Sequence, residues 1–250
     1  MVRVFIHGVP DTPAMWGPLK EQLSLPEHEI VTPALPGFTS PATSGFSRTK
    51  EAYVEWLINL LEGVAERNNG PIDLVGHDWG AILCLRAIHL RPDLIRTWAV
   101  TNAVLLPEIG WHSLARIWQT PIKGELFMLY FNQKRLKKVL LSSGMPPDIA
   151  NTEVTHFNRH MKSSILKLYR SAIQMHNEWG GDLSDLPKHG LVFWGEKDAF
   201  VPLKFGKQFC DKWSVPLHIE PNTGHWAICE HPRSFAEILK RHWDDKPQRS

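Results

Sequence analysis

The stretch Val75-Gly76-His77-Asp78-Trp79-Gly80 determines how this sequence is interpreted. It joins a short strand-like run, residues 72–75, to residues 81–90, an apolar segment typical of a buried helix. Glycines stand two residues before and two residues after the aspartate, where a sharp turn brings the strand and helix backbones too close together for side chains. The pattern predicts a strand, a tight turn and a helix, with the aspartate at the apex of the turn.

Two further polar sites follow predicted strands later in the chain. Gly195-Glu196-Lys197-Asp198 comes directly after residues 191–194, and Asn222-Thr223-Gly224-His225-Trp226 follows residues 215–219. Parallel sheets bind their ligands at the carboxyl ends of strands, so we expect the three sites to lie together. A strand-end aspartate or a loop histidine alone is usually structural. The order Asp78, Asp198, His225 is nevertheless that of a nucleophile, an acid and a base, which makes these three residues candidate catalytic residues.

Strand-like and helical segments alternate along most of the chain. Strands are predicted at residues 2–6, 30–31 and 95–100, and residues 49–67 place apolar side chains at the spacing of a helix. This alternation predicts an α/β fold with a parallel sheet. Residues 103–188 are rich in helix formers and show no convincing strand, so they are predicted to be a helical insertion, the cap. The predicted core comprises residues 1–102 and 189–250.

Together with His7-Gly8-Val9-Pro10, these motifs resemble the α/β-hydrolase superfamily, and in particular its epoxide hydrolase and haloalkane dehalogenase branch. The resemblance implies an α/β-hydrolase fold: a mostly parallel sheet of about six strands, helices on both of its faces and an inserted helical cap. It also implies an oxyanion hole built from the backbone N–H groups of Val9 and Trp79. The family places its cap where the insertion is predicted here.

One difference from the family concerns the edge of the sheet. Members usually carry two further strands before the His-Gly strand, whereas this sequence begins at the start of that strand. We therefore expect the first edge strands to be missing and residues 2–6 to lie near an edge of the sheet or to be covered by a neighbouring chain.

An aspartate at the turn determines the class of reaction that the resemblance implies. A carboxylate that attacks a saturated carbon displaces an alkoxide or a halide and leaves an alkyl ester, which water can then hydrolyse. Asp78 is the expected nucleophile, His225 the base that activates the water, and Asp198 the acid that orients the imidazole. Some dehalogenases carry this acid after the strand that follows the nucleophile helix. At that position this chain has the uncharged Asn102.

The leaving group separates an epoxide hydrolase from a dehalogenase. Epoxide opening releases an alkoxide that needs an acid, and the epoxide hydrolases resembled here supply tyrosines from the cap. Leu168-Tyr169-Arg170 resembles one tyrosine segment of that cap, so Tyr169 is the leading candidate acid. Phe127 best matches the position of the second tyrosine. Tyr130, one turn later, is a second candidate acid unless it only packs within the cap.

A halide leaving group needs N–H donors instead. Trp79 is common to both kinds of enzyme, and Val9 stands where many haloalkane dehalogenases carry an asparagine. Trp111, Trp118 or Trp179 of the cap is then the expected second donor, although each is more commonly a packing residue. We expect an epoxide hydrolase that yields a vicinal diol, with a haloalkane or haloacid dehalogenase as the alternative. A non-catalytic ligand-binding protein of the same fold is the second alternative.

The composition of the chain limits the other classes of protein to which it could belong. The chain has 250 residues, 28 basic and 26 acidic, and is 43% hydrophobic, as is typical of a globular domain. Scattered, nearly balanced charges argue against nucleic acid, and no apolar run of about 18 residues predicts a membrane span. The well-separated Cys84, Cys210 and Cys229 predict reduced packing residues in a cytoplasmic protein. We expect a small-molecule substrate, no metal or organic cofactor, and a monomer or homodimer.

Overall fold

Six strands form one sheet in which every neighbouring pair is parallel. The computed structural model describes residues 1–245, and residues 246–250, the end of the predicted core, lie outside the described part. In chain order the strands are β1 (Arg3–Ile6), β2 (Ile30–Val31), β3 (Ile72–His77), β4 (Ile95–Thr101), β5 (Gly190–Gly195) and β6 (Leu217–Glu220). Across the sheet their order is β2-β1-β3-β4-β5-β6. The predicted fold class, with about six mostly parallel strands, is confirmed.

Helices flank the sheet and also fill the long connection between β4 and β5. Those before this connection are α1 (Gly17–Leu23), α2 (Lys50–Asn68) and α3 (Trp79–Leu90). Those within it are α4 (Ser113–Gln119), α5 (Lys123–Tyr130), α6 (Gln133–Ser142), α7 (Pro147–Thr155), α8 (Arg159–Ser171) and α9 (Met175–Trp179). Those after it are α10 (Leu203–Trp213), α11 (Ala227–Glu230) and α12 (Pro232–Asp244). None of the helices in residues 1–245 is long and apolar enough to cross a bilayer.

Local sequence explains where α2 begins and ends. The Thr49 side chain accepts the backbone N–H of Ala52, which satisfies one of the free donors at the helix start. At the other end Asn69 takes a left-handed conformation that asparagine tolerates better than most residues. Buried side chains at Tyr53 and Leu57 recur at helical spacing and turn one face of α2 toward α3.

The strand predicted near an edge, β1, is the second strand of the sheet. It pairs with β3 on one side and with the two-residue strand β2 on the other, so β2 forms the edge. The short edge leaves few unpaired backbone groups open to another chain. All six residues of β3 are buried, which places the residues that follow this strand over the centre of the sheet.

The cap helices contact the core at several places. Near α8, the Lys50 N–H donates to Ser171 Oγ at 2.8 Å and Arg48 Nη1 to Ser163 Oγ at 3.0 Å. On the other side, α7 packs against the 3-10 turn Pro13–Trp16, which follows β1. The carboxyl ends of β1 and β3 therefore lie beneath the cap.

Candidate active site

Asp78 occupies a strained turn between β3 and α3. Its φ of 51° and ψ of −121° lie in a region that non-glycine residues rarely adopt. Glycine on either side makes the turn possible. A side chain at Gly76 would approach the carbonyl oxygen of Gly80 to 2.6 Å, and one at Gly80 would overlap the carbonyl oxygen of Ile6. The predicted strand, turn and helix are therefore present, and the turn presents the Asp78 carboxylate above the sheet.

The three candidate catalytic side chains meet at the carboxyl end of the sheet. His225 Nδ1 lies 2.8 Å from Asp198 Oδ2, and His225 Nε2 lies 3.5 Å from Asp78 Oδ2. The side chains of His225 and Asp198 are almost completely buried, whereas that of Asp78 remains 13% exposed. One imidazole therefore connects the two carboxylates, with room for a small molecule on the side of Asp78.

Asp198 is held by three donors besides His225. Its Oδ1 accepts the backbone N–H groups of Phe200 and Val201 at 2.8 and 3.0 Å, and its Oδ2 accepts the Asn102 side-chain amide at 2.8 Å. These donors fix the orientation of the Asp198 carboxylate. Asn102, which follows β4, thus supports the acid that follows β5.

The two carboxylates determine the protonation of His225. Burial alone would lower the pKa of the imidazole, but the charges and hydrogen bonds of Asp198 and Asp78 outweigh it and raise this pKa to about 10. With both carboxylates ionised, His225 is therefore protonated at neutral pH.

Backbone donors surround the Asp78 carboxylate. The Val9 N–H donates to Asp78 Oδ1 at 2.9 Å. Trp79 is the first residue of α3, and the first N–H groups of a helix have no acceptor within the helix. Val9 and Trp79, the residues predicted for the oxyanion hole, thus lie beside the Asp78 carboxyl group, which would carry the ester carbonyl.

Core and cap residues enclose a pocket over Asp78, with about 500 Å³ of space free of atoms. Besides Asp78, His225 and Val9, its walls comprise Pro10, His112, Leu114, Trp118, Phe131, Leu136, Val139, Leu140, Phe157, Tyr169, Phe200 and Trp226. Most of these side chains are apolar, as expected for a site that binds a small apolar molecule.

Tyr169 lies in this pocket, as predicted from the cap motif. It is buried on α8, and its ring packs against those of Trp79 and Trp118, with centroids 5.3 and 4.8 Å away. Burial and the nearby Asp78 carboxylate raise the pKa of Tyr169 well above its usual value. The phenol is therefore protonated at neutral pH, as a proton donor must be.

Tyr130, the second candidate acid, lies outside the pocket, and its assignment is corrected here. Its side chain is 66% exposed on α5 and lines a separate open groove with Ile117 and Arg135. The buried residues of α5 are Gly124 and Met128, so the opposite face carries Tyr130 toward solvent. Tyr169 is therefore the only tyrosine among residues 1–245 that lines the pocket over Asp78.

The cap tryptophans differ in what their indole N–H groups contact. Trp111 donates to the Ile173 carbonyl at 3.3 Å, and Trp179 packs beneath the Lys50 ammonium, 4.8 Å from its ring centroid. Trp118 lines the pocket, and its buried indole nitrogen has no hydrogen-bond partner within residues 1–245. The same is true of the Trp79 indole, which lines an adjoining cavity next to Asp78.

Sequence patterns missed two polar residues near the nucleophile. His112 precedes α4 and lines the pocket, and no spacing or motif distinguishes it in the sequence. Asp11 is fully buried behind the Val9 turn, where its Oδ1 accepts the Trp226 indole N–H at 3.1 Å. Burial and the Asp78 charge raise the pKa of Asp11 to about 7. Its position four residues after His7 in the loop after β1 was the only available signal.

Within residues 1–245 no group of three or more His, Cys, Asp or Glu side chains is arranged to hold a metal ion. Cys84, Cys210 and Cys229 are buried and unpaired. The side chains that meet over the sheet are therefore carboxylates, imidazoles, indoles and one phenol.

Comparison with protein families agrees with this arrangement. The model of the alpha/beta hydrolase family matches residues 4–238, which includes all three catalytic candidates. The chain belongs to the alpha/beta hydrolase family. This membership does not decide which bond is cleaved.

The relatives of this alpha/beta hydrolase act on a different class of compound from the one expected. One of them, the 2-hydroxy-6-oxononadienedioate/2-hydroxy-6-oxononatrienedioate hydrolase 1 of Dechloromonas aromatica, is 38% identical over 94% of this chain and 84% of its own length. Other curated relatives are matched over only 37% to 39% of their own length. The names of these relatives describe hydrolases of oxo-diene acids and of related compounds.

Solved structures similar to this chain cover several reactions. The 2-hydroxy-6-oxo-6-phenylhexa-2,4-dienoate hydrolase of Rhodococcus sp. strain RHA1 superposes with a TM-score of 0.79, at 19% identity over 97% of this chain and 90% of that one. An epoxide hydrolase from Vigna radiata gives a TM-score of 0.76, at 18% identity over 96% and 90%. At such identities the likeness shows the shared fold and leaves the substrate open.

Proposed function

We propose that this alpha/beta hydrolase cleaves a bond at a saturated carbon of a small apolar molecule through a covalent alkyl ester on Asp78. The main support is the Asp78 carboxylate itself, placed at the strained turn with His225 Nε2 at 3.5 Å. Carboxylate nucleophiles form covalent intermediates that split one difficult step into two easier ones. The favoured activity is that of an epoxide hydrolase, because the Tyr169 phenol lines the same pocket.

In the first step an Asp78 oxygen attacks a ring carbon of the epoxide, and the carbon–oxygen bond of the ring breaks. The released oxygen takes the phenolic proton of Tyr169, which leaves a hydroxyalkyl ester and a phenolate. The raised pKa of Tyr169 does not prevent this transfer, because an alkoxide is a much stronger base than a phenolate. Attack is assisted by the apolar walls, which exclude competing water.

The second step returns the enzyme to its starting state. Esterification removes the Asp78 charge that raises the pKa of His225, so the imidazolium gives its proton to the Tyr169 phenolate, and the neutral imidazole then accepts a proton from water. The hydroxide attacks the ester carbonyl, and the Val9 N–H stabilises the resulting oxyanion. Collapse releases the diol and the Asp78 carboxylate and leaves His225 protonated, as in the free enzyme.

Release of a halide is the second candidate, and one observation favours it. The indole nitrogens of Trp79 and Trp118 are buried beside the pocket without partners among the described residues. Two N–H groups of this kind could bind a departing halide, and burial makes each unmade hydrogen bond costly. In this reaction the alkyl ester carries no new hydroxyl group, and Tyr169 keeps its proton.

The activity named for the relatives is a third outcome to be tested. Those enzymes hydrolyse oxo compounds, which implies attack at a carbonyl carbon. Attack by Asp78 on a carbonyl would produce an acid anhydride or its tetrahedral precursor instead of an alkyl ester. Serine is the usual residue at this turn in the fold, so the aspartate favours saturated carbon.

Intact-mass measurement of a His225→Gln variant tests the proposal. Removing the base should stall the ester on Asp78 during incubation with styrene oxide, 1,2-epoxyhexane or 1-bromohexane. Addition of a whole epoxide supports the epoxide hydrolase, and addition of an alkyl group without bromine supports the dehalogenase. The matched control is the double variant Asp78→Asn/His225→Gln, which should gain no mass. A folded His225→Gln protein that gains no mass, while the wild type hydrolyses a 2-hydroxy-6-oxo-diene acid, overturns the proposal.

A further inference from the structure

His112 begins a cap helix and at the same time faces the nucleophile. It is the N-cap residue of α4, with an extended backbone (φ −64°, ψ 162°). Its ring lines both the pocket over Asp78 and the adjoining cavity next to Trp79. The ring packs edge-on near Phe200 and Tyr169, with centroids 5.5 and 6.4 Å away. Nothing in the mechanism above uses this side chain.

The helix start determines which nitrogen of His112 carries a proton. Nδ1 accepts the backbone N–H of Ala115 at 3.1 Å, in the place where a serine or aspartate oxygen usually caps a helix. A nitrogen that accepts must present a lone pair, so the single proton of the neutral imidazole resides on Nε2. The hydrogen bond of the His112 side chain within residues 1–245 is made by Nδ1, so the Nε2–H of this pocket-lining residue is free to donate.

The surroundings also keep this imidazole neutral. Burial lowers the pKa of His112, and the positive charge of His225 lowers it further, while Asp78 and Asp198 oppose the change only in part. Protonation at Nδ1 would moreover break the hydrogen bond to Ala115 and turn two donors toward each other. The ring is therefore a fixed N–H donor and not a proton source at neutral pH.

We propose that His112 Nε2–H donates a hydrogen bond to the oxygen that departs from the substrate carbon when Asp78 attacks. This inference rests on the proposed function and names the second polar contact of the leaving group. Tyr169 transfers its proton to that oxygen, whereas His112 keeps its own and only stabilises the developing charge. The pair would stand in place of the two cap tyrosines of the epoxide hydrolases that the sequence resembles, for which Tyr130 was the second candidate here.

A donor fixed by a helix start has a physical advantage. The ring orientation of His112 is determined by its bond to Ala115 before any substrate binds, so little conformational entropy is lost in the reaction. Loss of one preorganised donor to a developing oxyanion typically slows a reaction by about 10² to 10³. The effect should be confined to formation of the ester, because the departing oxygen is already an alcohol when the ester is hydrolysed by His225.

The experiment compares two proteins that both carry His225→Gln. One retains His112, and the other also carries His112→Asn. Asparagine keeps an oxygen that can cap α4 through Ala115, but its amide is too short to replace Nε2–H. With the epoxide that labels Asp78 fastest, the rate of mass gain should fall by about 10² to 10³. His156→Asn, the same change at a cap histidine outside the pocket, should leave this rate unchanged.

A second measurement separates a catalytic contact from a structural one. In enzyme that retains His225, the pre-formed ester of the His112→Asn variant should decay at the wild-type rate. An unchanged rate of mass gain, or equal slowing of both steps, overturns the inference. Failure of the His225→Gln parent to gain mass overturns the proposed function instead. If His112→Asn does not fold, His112→Ser provides the same test, because serine also caps helices.

Discussion

His225 lies between two carboxylates, and the charge on one of them changes during the proposed reaction. Asp198 is hydrogen-bonded to His225, whereas Asp78 is a carboxylate in the free enzyme and an ester in the proposed intermediate. The same histidine therefore holds its proton before alkylation and can act as a base after it. The Asp78 charge, 3.5 Å from His225, therefore keeps the histidine protonated until the ester has formed.

This coupling predicts a lower pKa for His225 when Asp78 is replaced by asparagine. Asp78→Asn keeps the size of the side chain and removes the negative charge, so the pKa of His225 should fall below the wild-type value of about 10. Titration of the imidazole by NMR measures the shift, and the variant should be inactive toward every substrate. An exposed histidine, His231, serves as the internal reference and should titrate alike in both proteins. A His225 pKa that is equal in the two proteins would show that Asp78 does not control the base.

Residues in local patterns were predictable, and residues defined only by three-dimensional neighbours were not. Asp78, Asp198 and His225 follow strands and stand among glycines, so the sequence indicated their positions. Asn102 follows a predicted strand, but its hydrogen bond to Asp198 joins segments far apart in the sequence, and no spacing marks His112. Their recognition required the distances from Asn102 to Asp198 and from His112 to Ala115.

The turn between β3 and α3 depends on how closely α3 approaches β1. A Cβ atom at Gly80 would overlap backbone atoms of Ile6 and His7, neither of which can move without breaking the pairing of β1 with β3. By contrast, a Cβ atom at Gly17, the first residue of α1, meets no atom within 4 Å apart from its neighbours in the chain. The fold therefore has room for a methyl group at Gly17 and none at Gly80.

Gly80→Ala should destabilise the protein severely, and Gly17→Ala should not. We expect the first variant to lose about 3 kcal/mol or more of unfolding free energy, as overpacked cores do. The second should change the unfolding free energy by less than about 1 kcal/mol, because alanine suits a helix better than glycine does, whereas its Cβ atom crowds the ring of the following Pro18. Urea unfolding followed by tryptophan fluorescence measures both. Equal stability of the two variants would contradict the close approach of α3 to β1.

Element boundaries show what a one-dimensional pattern leaves out. β6 was predicted at 215–219 and forms at Leu217–Glu220, because Val215 donates its N–H to Cys210 at the end of α10 and Pro216 has no N–H to donate.

α5 carries apolar side chains on all sides, so its sequence does not reveal which face is buried. That ambiguity led to the assignment of Tyr130, whose exposure depends on packing alone.

The interface between the cap and the core contains a buried carboxyl group without a cation. Glu153 on α7 has no exposed surface and forms no ion pair within residues 1–245. Burial raises the pKa of Glu153 well above its usual value, and the Asp11 carboxyl group adds to this, although contacts with Thr12 and Met15 partly oppose it. The cap therefore rests on the loop after β1 through an acid that favours its protonated form.

The stability of the whole molecule should consequently depend on pH through Glu153. Its pKa is higher in the folded than in the unfolded state, so its favourable contribution is complete below the unfolded pKa and is lost as the pH rises through the folded pKa. The loss approaches about 1.4 kcal/mol per pH unit between those two values. Glu153→Gln removes this dependence, since the neutral amide resembles the protonated acid.

We therefore expect Glu153→Gln to unfold at nearly the wild-type temperature near pH 4 and at a clearly higher temperature at pH 8. Thermal unfolding followed by tryptophan fluorescence from pH 4 to pH 9 measures the difference. Glu237→Gln, at an exposed position on α12, is the matched control, because it changes the net charge equally without altering the interface. A stability difference that is the same at all pH values would mean that the Glu153 carboxyl is satisfied in its ionised form. Polar contacts from Thr12 and Met15 would then outweigh burial, and the cap would be held to the core by a charged group.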